Sequence, residues 1–264
     1  MNFNNKVVWI TGASSGIGEA MAYAFAKQGA KLILSARRKQ ELERVKNNCE
    51  LSVNDCLVLP LDLEKYEEME DKVAIALQSF DRIDYLINNG GISQRSLIQD
   101  TKLSVFKRLM DVDYLGTVAL SKAVLPVFVR QQSGHYAVVT SLMGKFASPL
   151  RSGYCGAKHA LHGFFDALRL EHESDNIKVT LVCPGFIRTN ISQNALTATG
   201  KAQQSMDEAT DKGMSPEDCA AAILQAIRRE KYEAYIGGKE TMAVYLKRWF
   251  PKILHRVVQK SAVT

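Results

Sequence analysis

Apolar and polar positions along the chain follow two periods that take turns. Short β-branched or aromatic runs, KVVWIT, KLILSA, CLVLPL, IDYLINN, HYAVVTS, KVTLVCP and YEAYIGG, read as strands. Between them lie stretches with a 3.6-residue apolar period. These predict helices over 17–28, 39–48, 65–80 and 103–132, one beginning near Ser152, and one over 216–229. Short strands joined by helical crossovers define an α/β fold class: a doubly wound parallel β-sheet with helices on both faces. No repeat, low-complexity block or linker interrupts the pattern. A chain of 264 residues, 46% apolar, can bury one substantial core. The expectation is a single domain over 1–238, followed by a C-terminal amphipathic extension over 239–264.

Two segments carry candidate chemistry. HYAVVTS delivers Ser141 at the C-terminal end of a buried strand, the edge of an open parallel sheet where ligands sit. The helix that follows has apolar residues at Ala157, Leu161, Phe164, Phe165 and Leu168, which stacks Tyr154 and Lys158 on one face as an i, i+4 pair. The second segment, TGASSGIG, leaves the first strand and opens the first helix, the context of a phosphate-binding glycine loop. Gly12, Gly16 and Gly18 let the backbone turn sharply and approach a pyrophosphate, while the helix N-terminus offers unpaired N–H groups.

The end of the second strand bears on the cofactor. An acid about 20 residues past such a loop accepts ribose hydroxyls, whereas arginine favours a 2′-phosphate. Here Ala36 stands at that point, with Arg37 and Arg38 directly after it. With no carboxylate to repel a phosphate, NADP(H) is preferred over NAD(H). The plainer alternative is that the two arginines only open a solvated helix. Between the last two predicted crossovers, residues 186–214 form a long irregular segment rich in Thr, Asn and Gln, with the features of a substrate lid.

Taken together, these motifs resemble the short-chain dehydrogenase/reductase family over residues 5–238, a Rossmann-like fold. TGASSGIG resembles its glycine loop, Asp62 in LPLDL its adenine-contacting acid, NNGG at 88–91 its NNAG element, and PGFIRT at 184–189 its PG element. The resemblance implies cofactor contacts from Gly12, Ser14, Ser15, Gly16, Ile17, Gly18, Arg37, Arg38, Asp62, Leu63, Asn89, Gly90, Tyr154, Lys158, Pro184, Gly185, Ile187 and Thr189. It further implies hydride transfer between a nicotinamide and a ketone or secondary alcohol. Tyr154 would be the general acid/base, Lys158 would depress its pKa and hold the nicotinamide ribose, and Ser141 would hydrogen-bond the substrate oxygen. Members of the family usually pair into homodimers or homotetramers, and Ala119, Ala123 and Ala160 are small enough for close helix packing.

One position departs from the family. Its long helix usually carries an Asn three residues before a Gly; here Asp113 precedes Gly116. A carboxyl cannot donate through an N–H₂ group, and if ionised it would stabilise the Lys158 ammonium and weaken its effect on Tyr154. Two readings stand: activity with a shifted pH optimum, or a tolerated substitution. A non-catalytic nucleotide-sensing protein on the same fold is the alternative function. The intact Ser141, Tyr154 and Lys158 argue against it. Serine hydrolysis at Ser141 lacks the G-x-S-x-G elbow.

Charge and cysteine content add boundaries. The net charge is +6, but residues 239–264 carry Lys239, Lys247, Arg248, Lys252, Arg256 and Lys260 against Glu240 alone, so the body is nearly neutral and the tail basic. No nucleic-acid reading motif accompanies the tail, and no nucleic-acid partner is expected. Met242, Tyr245, Leu246, Trp249, Ile253, Leu254 and Val257 recur there at helical spacing, with Pro251 as a break. Such a segment either lies in a lipid interface or packs on the protein's own surface. Five widely spaced cysteines without a Cys-x-x-Cys pair indicate neither disulfides nor a metal site. Because the first strand begins so early, no secretory segment is expected before it, and no apolar run is expected to reach the roughly 18 residues of a membrane span. The protein is expected to be cytoplasmic, either free or peripheral to the membrane. Its substrate is expected to be a small hydrophobic carbonyl or alcohol, with no charged clamp evident in the lid.

Overall fold

The computed structural model describes residues 3–260. Seven strands, β1 (Val7–Thr11), β2 (Lys31–Ser35), β3 (Cys56–Val58), β4 (Tyr85–Asn88), β5 (Gly134–Val139), β6 (Ile177–Pro184) and β7 (Glu233–Ile236), form one sheet in the order β3-β2-β1-β4-β5-β6-β7. Every pairing is parallel. β3 is shorter than CLVLPL suggests because Pro60 has no N–H to donate. The pairing resumes around it through Leu59 N–H to Leu34 O at 3.0 Å and Leu61 N–H to Ala36 O at 3.1 Å.

The helices are α1 (Gly16–Ala26), α2 (Lys39–Asn48), α3 (Met69–Phe80), α4 (Leu103–Leu109), α5 (Gly116–Gln131), α6 (Ser152–Glu171), α7 (Glu208–Asp211), α8 (Pro216–Arg228), α9 (Met242–Trp249) and α10 (Pro251–Lys260). Strand alternation sends side chains to two separate cores. Val8 and Ile10 of β1 join Met21 and Phe25 of α1 and Ile223 and Ile227 of α8. Val7 and Trp9 join Val73 of α3, Val124 and Phe128 of α5 and Phe165 of α6. The indole of Trp9 stays satisfied in its core by donating to Ser35 Oγ at 2.9 Å, and Ser35 passes its own proton to Leu59 O at 2.7 Å. Because β1 neighbours both β2 and β4, the winding direction reverses there, and a crevice opens beyond the C-terminal ends of these strands.

Three features refine the sequence reading. The helix expected over 103–132 is not uniform: a π-helical turn, Met110–Leu115, separates α4 from α5. The whole run Leu103–Gln131 is long and apolar enough to cross a membrane by length and composition, contrary to the expectation that no such run exists. Half of its most apolar stretch is buried in the protein, where Leu120, Val124 and Phe128 pack under the sheet. The tail is helical on both sides of Pro251, which occupies the first position of α10, where its missing N–H costs nothing. It does not project away from the body. Leu254 is buried against Leu142, Phe146 and Cys183, with Ala243, Val244, Leu246 and Val258 around them. Residues 261–264 of the expected extension lie outside the described residues.

Candidate active site

The glycine loop sits in the crevice at the end of β1. Gly12 holds φ +65°, a backbone state that L side chains rarely adopt. Gly18 is pressed so close that a Cβ there would stand 2.2 Å from the Gly12 carbonyl oxygen and 2.6 Å from Asn89 Nδ2. The loop is braced from β4. Asn89 Nδ2 donates to Thr11 O at 3.0 Å, and the N–H groups of Asn89 and Gly90 both donate to Thr11 Oγ1 at 3.0 Å. The result is a groove of about 690 Å³. Gly12, Ser14, Ser15, Gly16 and Ile17 line one side, Arg37 and Arg38 the end of β2, and Asp62 and Leu63 the segment after β3. Asp62 Oδ1 accepts the Glu64 N–H at 3.1 Å, and Arg37 and Arg38 are exposed. A dinucleotide fits this cradle: the residues nearest the α1 N-terminus present backbone rather than bulk, and the groove offers both polar and apolar walls.

A second cavity, of about 350 Å³, adjoins the groove and shares Ile17, Asn89, Gly91 and Thr189 with it. Ser141, Tyr154 and Lys158 all line this second cavity, as do Pro184, Gly185 and Ile187 from the end of β6 and the segment after it. The local chemistry of the chain explains the convergence. Ser141 lies just past β5 and caps a 3₁₀ turn, Leu142–Gly144, its Oγ accepting the Met143 N–H at 3.1 Å. The same hydroxyl donates to the Pro184 carbonyl oxygen at 3.5 Å between oxygens, a weak contact that a better acceptor can replace. The start of α6 is pinned by the Gly153 N–H, which donates to Gln94 Oε1 at 2.7 Å. One turn of α6 then separates Tyr154 from Lys158, whose Nζ lies 5.6 Å from the Tyr154 ring centre.

Lys158 is buried, and its charge is met from two directions. Nζ donates to Val139 O at 3.3 Å and stands 3.8 Å from Asp113 Oδ2. Asp113, fully buried in the π turn, uses its other oxygen to accept the Ile92 N–H at 2.7 Å, leaving Oδ2 with no hydrogen-bond donor among the described residues. Burial raises the Asp113 carboxyl to about 6, against the lowering effects of Lys158 and the Ile92 N–H. Burial also raises Tyr154. Lys158 and the Ser141 hydroxyl pull it down and Asp113 pushes it up, with a net upward shift. The sequence argument expects Lys158 to depress Tyr154; in the folded chain desolvation outweighs it.

The cavity wall contains residues that the sequence does not single out. Arg95, after β4, and Arg151, before α6, both bind Asp207 of the irregular segment 186–214 in a buried cluster. Arg95 Nε lies 2.9 Å from Asp207 Oδ2 and Arg151 Nη2 lies 3.3 Å from the same oxygen. Burial works to raise Asp207, but Arg95, Gln203 and Arg151 hold it below the usual carboxylate range. This ion cluster fastens the segment 186–214 to the body. Its members are separated by 112 and 56 residues along the chain, and no local pattern joins them. Glu240, at the start of the tail, also reaches the cavity, where its Oε1 accepts the Gly238 N–H at 3.0 Å. All five cysteines are buried and free, and no cluster of His, Cys, Asp or Glu among the described residues is suited to a metal ion.

A parallel sheet of this order, a glycine cradle at its reversal point, and a Ser, Tyr and Lys converging on the adjoining cavity define a nicotinamide-dinucleotide oxidoreductase class. Comparison with known proteins narrows this. The family model described as short chain dehydrogenase matches residues 6–200. A Drosophila melanogaster protein, dehydrogenase/reductase SDR family protein 7-like, is 44% identical over 98% of this chain and 81% of its own length. The human dehydrogenase/reductase SDR family member 7 is 43% identical over 94% of this chain and 75% of its own length. Among solved structures, a short-chain dehydrogenase from Streptomyces avermitilis superposes with a TM-score of 0.81 at 26% identity, covering 97% of this chain and 96% of that one. A short-chain dehydrogenase/reductase from Burkholderia phymatum in complex with NAD superposes with a TM-score of 0.84, and at 20% identity it attests the shared fold. The chain belongs to the short-chain dehydrogenase/reductase family.

The buried Asp113 yields a test of the site's electrostatics. Its carboxyl titrates near 6 when folded and near 3.9 when unfolded, so the folded chain holds the extra proton and stability falls as pH rises through that window. Asp113→Asn removes this dependence. Its stability relative to the unsubstituted protein should therefore increase between pH 4 and pH 7 in urea unfolding, whatever the offset at either end. A difference independent of pH would mean that Asp113 titrates as an ordinary carboxyl.

Proposed function

We propose that the protein is an NADP(H)-dependent oxidoreductase acting on a hydrophobic ketone or the corresponding secondary alcohol. The observation that carries the proposal is the convergence of Ser141, Tyr154 and Lys158 on one cavity continuous with the nucleotide groove. The dinucleotide, when bound, supplies a hydride for reduction or accepts one in oxidation. The protein's own residues bind, orient and move the proton. In reduction Tyr154 donates its phenolic proton to the substrate oxygen as negative charge develops there, and Ser141 steadies that oxygen through its hydroxyl proton. Lys158, held between Val139 O and Asp113, stabilises the phenolate that remains. In oxidation the phenolate takes the alcohol proton. Substrate hydrophobicity is supported by Leu142, Met143, Phe146 and Phe186 in the cavity wall, and the intact three-residue set weighs against the non-catalytic alternative.

Cofactor choice rests on Arg37 and Arg38 at the end of β2, where the groove offers a 2′-phosphate two guanidinium groups and Asp62 is the one carboxylate among its described lining residues. Self-association through the outer faces of α5 and α6 is part of the same reading. Ala119, Ala123 and Ala160 remain only partly covered there.

Three measurements test this reading. NADPH consumption over a panel of aliphatic, aromatic and ring ketones should show turnover that Tyr154→Phe reduces by about a hundredfold or more; equal rates in the variant would remove Tyr154 from proton transfer. Replacing Arg37 and Arg38 together by Ala should raise the Kd for NADPH by about tenfold to a hundredfold while leaving NADH little changed. Equal weakening of both would assign the arginines to something other than the 2′-phosphate. Finally, Asp113 raises Tyr154, so Asp113→Asn should move the limb governed by Tyr154 to lower pH. That limb falls at the alkaline end in reduction and rises from the acid end in oxidation, and an unmoved limb in both directions would uncouple Asp113 from Tyr154.

A further inference from the structure

The two faces of the C-terminal helices do different things. The inner face closes the cavity that holds Ser141, Tyr154 and Lys158: Ala243, Leu254, Val257 and Val258 all line it. Among the described residues nothing buries most of the outer face, although the Tyr245 ring meets the edge of Tyr235 at 6.1 Å between ring centres. Of sixteen exposed large apolar side chains among the described residues, six, Met242, Tyr245, Trp249, Phe250, Ile253 and Val257, belong to α9, α10 and the residue between them. That concentration sets the segment apart from the scattered exposed apolar residues that any surface carries. Met242, Tyr245 and Trp249 share one side of α9 by their i, i+3, i+7 spacing, and Ile253 and Val257 share one side of α10. Trp249 and Phe250 are 71% and 58% exposed, an orientation that water alone does not favour.

The charge around these residues chooses the occupant. Lys247, Arg248, Lys252, Arg256 and Lys260 are interleaved with the apolar side chains, and residues 241–260 contain no acidic residue. Among the described residues none of these five cations is held in an ion pair with a carboxylate. A second copy of the same face would bring like charges together, which costs association energy. An anionic lipid surface meets both requirements, taking the aromatic and aliphatic side chains into the headgroup boundary and the ammonium and guanidinium groups among the phosphates. Val257 is half-exposed and lines the cavity as well, so the apolar outer face runs into the cavity wall.

We propose that α9 and α10 dock the protein on an anionic lipid surface through Met242, Tyr245, Trp249, Phe250 and Ile253, with the basic residues between them, and that the substrate cavity takes its ketone or alcohol from that surface. The docking stands on the exposed face alone; the delivery of substrate rests on the proposed reductase function.

The test uses the full chain and vesicles of phosphatidylcholine, with or without phosphatidylserine. Of the two tryptophans, Trp9 is wholly buried and Trp249 exposed, so a blue shift on mixing reports Trp249 entering lipid. Co-sedimentation with the anionic vesicles is expected, with much weaker binding to the neutral ones. Replacing Lys247, Arg248 and Lys252 by Gln should weaken it by about a hundredfold, at roughly tenfold or less per cation. Trp249→Ala with Phe250→Ala should abolish the binding while leaving the reduction of a water-soluble ketone unchanged, since neither residue lines the cavity. The same pair should slow reduction of a long-chain ketone carried in the anionic vesicles. No binding to either vesicle, binding insensitive to both sets of substitutions, or a concentration-dependent dimer dissolved by Trp249→Ala would overturn docking on lipid. Vesicle binding with equal rates for both ketones in both proteins would retain docking and overturn delivery. Failure of the soluble ketone as well would count against the reductase reading, leaving the vesicle-binding result to decide docking by itself.

Discussion

A buried ammonium sets the terms for the rest of this site. Lys158 is nearly inaccessible to water, and an uncompensated charge in that position would cost several kilocalories per mole. The chain compensates it with one carbonyl from the end of β5 and one carboxylate from the π turn between α4 and α5. Each contact fixes an element. Val139 lies two residues before Ser141, so holding the carbonyl also fixes the position of the hydroxyl, and Asp113 ties the π turn to Ile92 of the loop after β4. Gly91 makes room for the arrangement: a Cβ there would stand 3.1 Å from Asp113 Oδ1 and 3.3 Å from Lys158 Nζ. A side chain at this position would oblige the Asp113 carboxylate and the Lys158 ammonium to move by a few tenths of an ångström.

The compensation carries a chemical consequence. Asp113 neutralises Lys158 best when ionised, yet its ionised form opposes the influence of Lys158 on Tyr154. A neutral amide at the same position would relieve the second effect and forgo the first. The aspartate therefore links stability and proton transfer through one carboxyl, and the coupling follows from burial: at a solvated surface the same three groups would be screened from one another.

Much of this was readable from the chain, for reasons that individual residues make plain. The sheet was legible because Val7 and Trp9 alternate with Val8 and Ile10 between two helical layers, which imposes β-branched and apolar residues at every position of a central strand. Ser141, Tyr154 and Lys158 were legible because two of them lie one helical turn apart and the third closes a strand. The direction of the Tyr154 shift was not, since it depends on how deeply the phenol is buried, and spacing does not encode depth. Nor was the Arg95–Asp207–Arg151 cluster, whose partners lie far apart in the chain and meet only in the folded protein. The π turn left no mark in the apolar periodicity, because Met110–Leu115 supplies apolar residues to an α-helical pattern equally well.

The tail shows most clearly how a sequence pattern can be right and its interpretation too narrow. An amphipathic helix has one apolar face, and packing on the body and lying on lipid are ordinarily competing uses of it. Here the apolar residues extend around more than one side: Ala243, Leu254 and Val258 turn inward, while Tyr245, Trp249 and Ile253 turn outward. Periodicity identified the set without dividing it, because dividing it requires knowing where Leu142 and Phe146 stand. Once the inner set is docked against them, no other described residue buries the outer set, and the basic residues between its members favour an anionic surface as its cover. The two readings of the tail then belong to two faces of one structure, and inward packing is what holds the outward face in position.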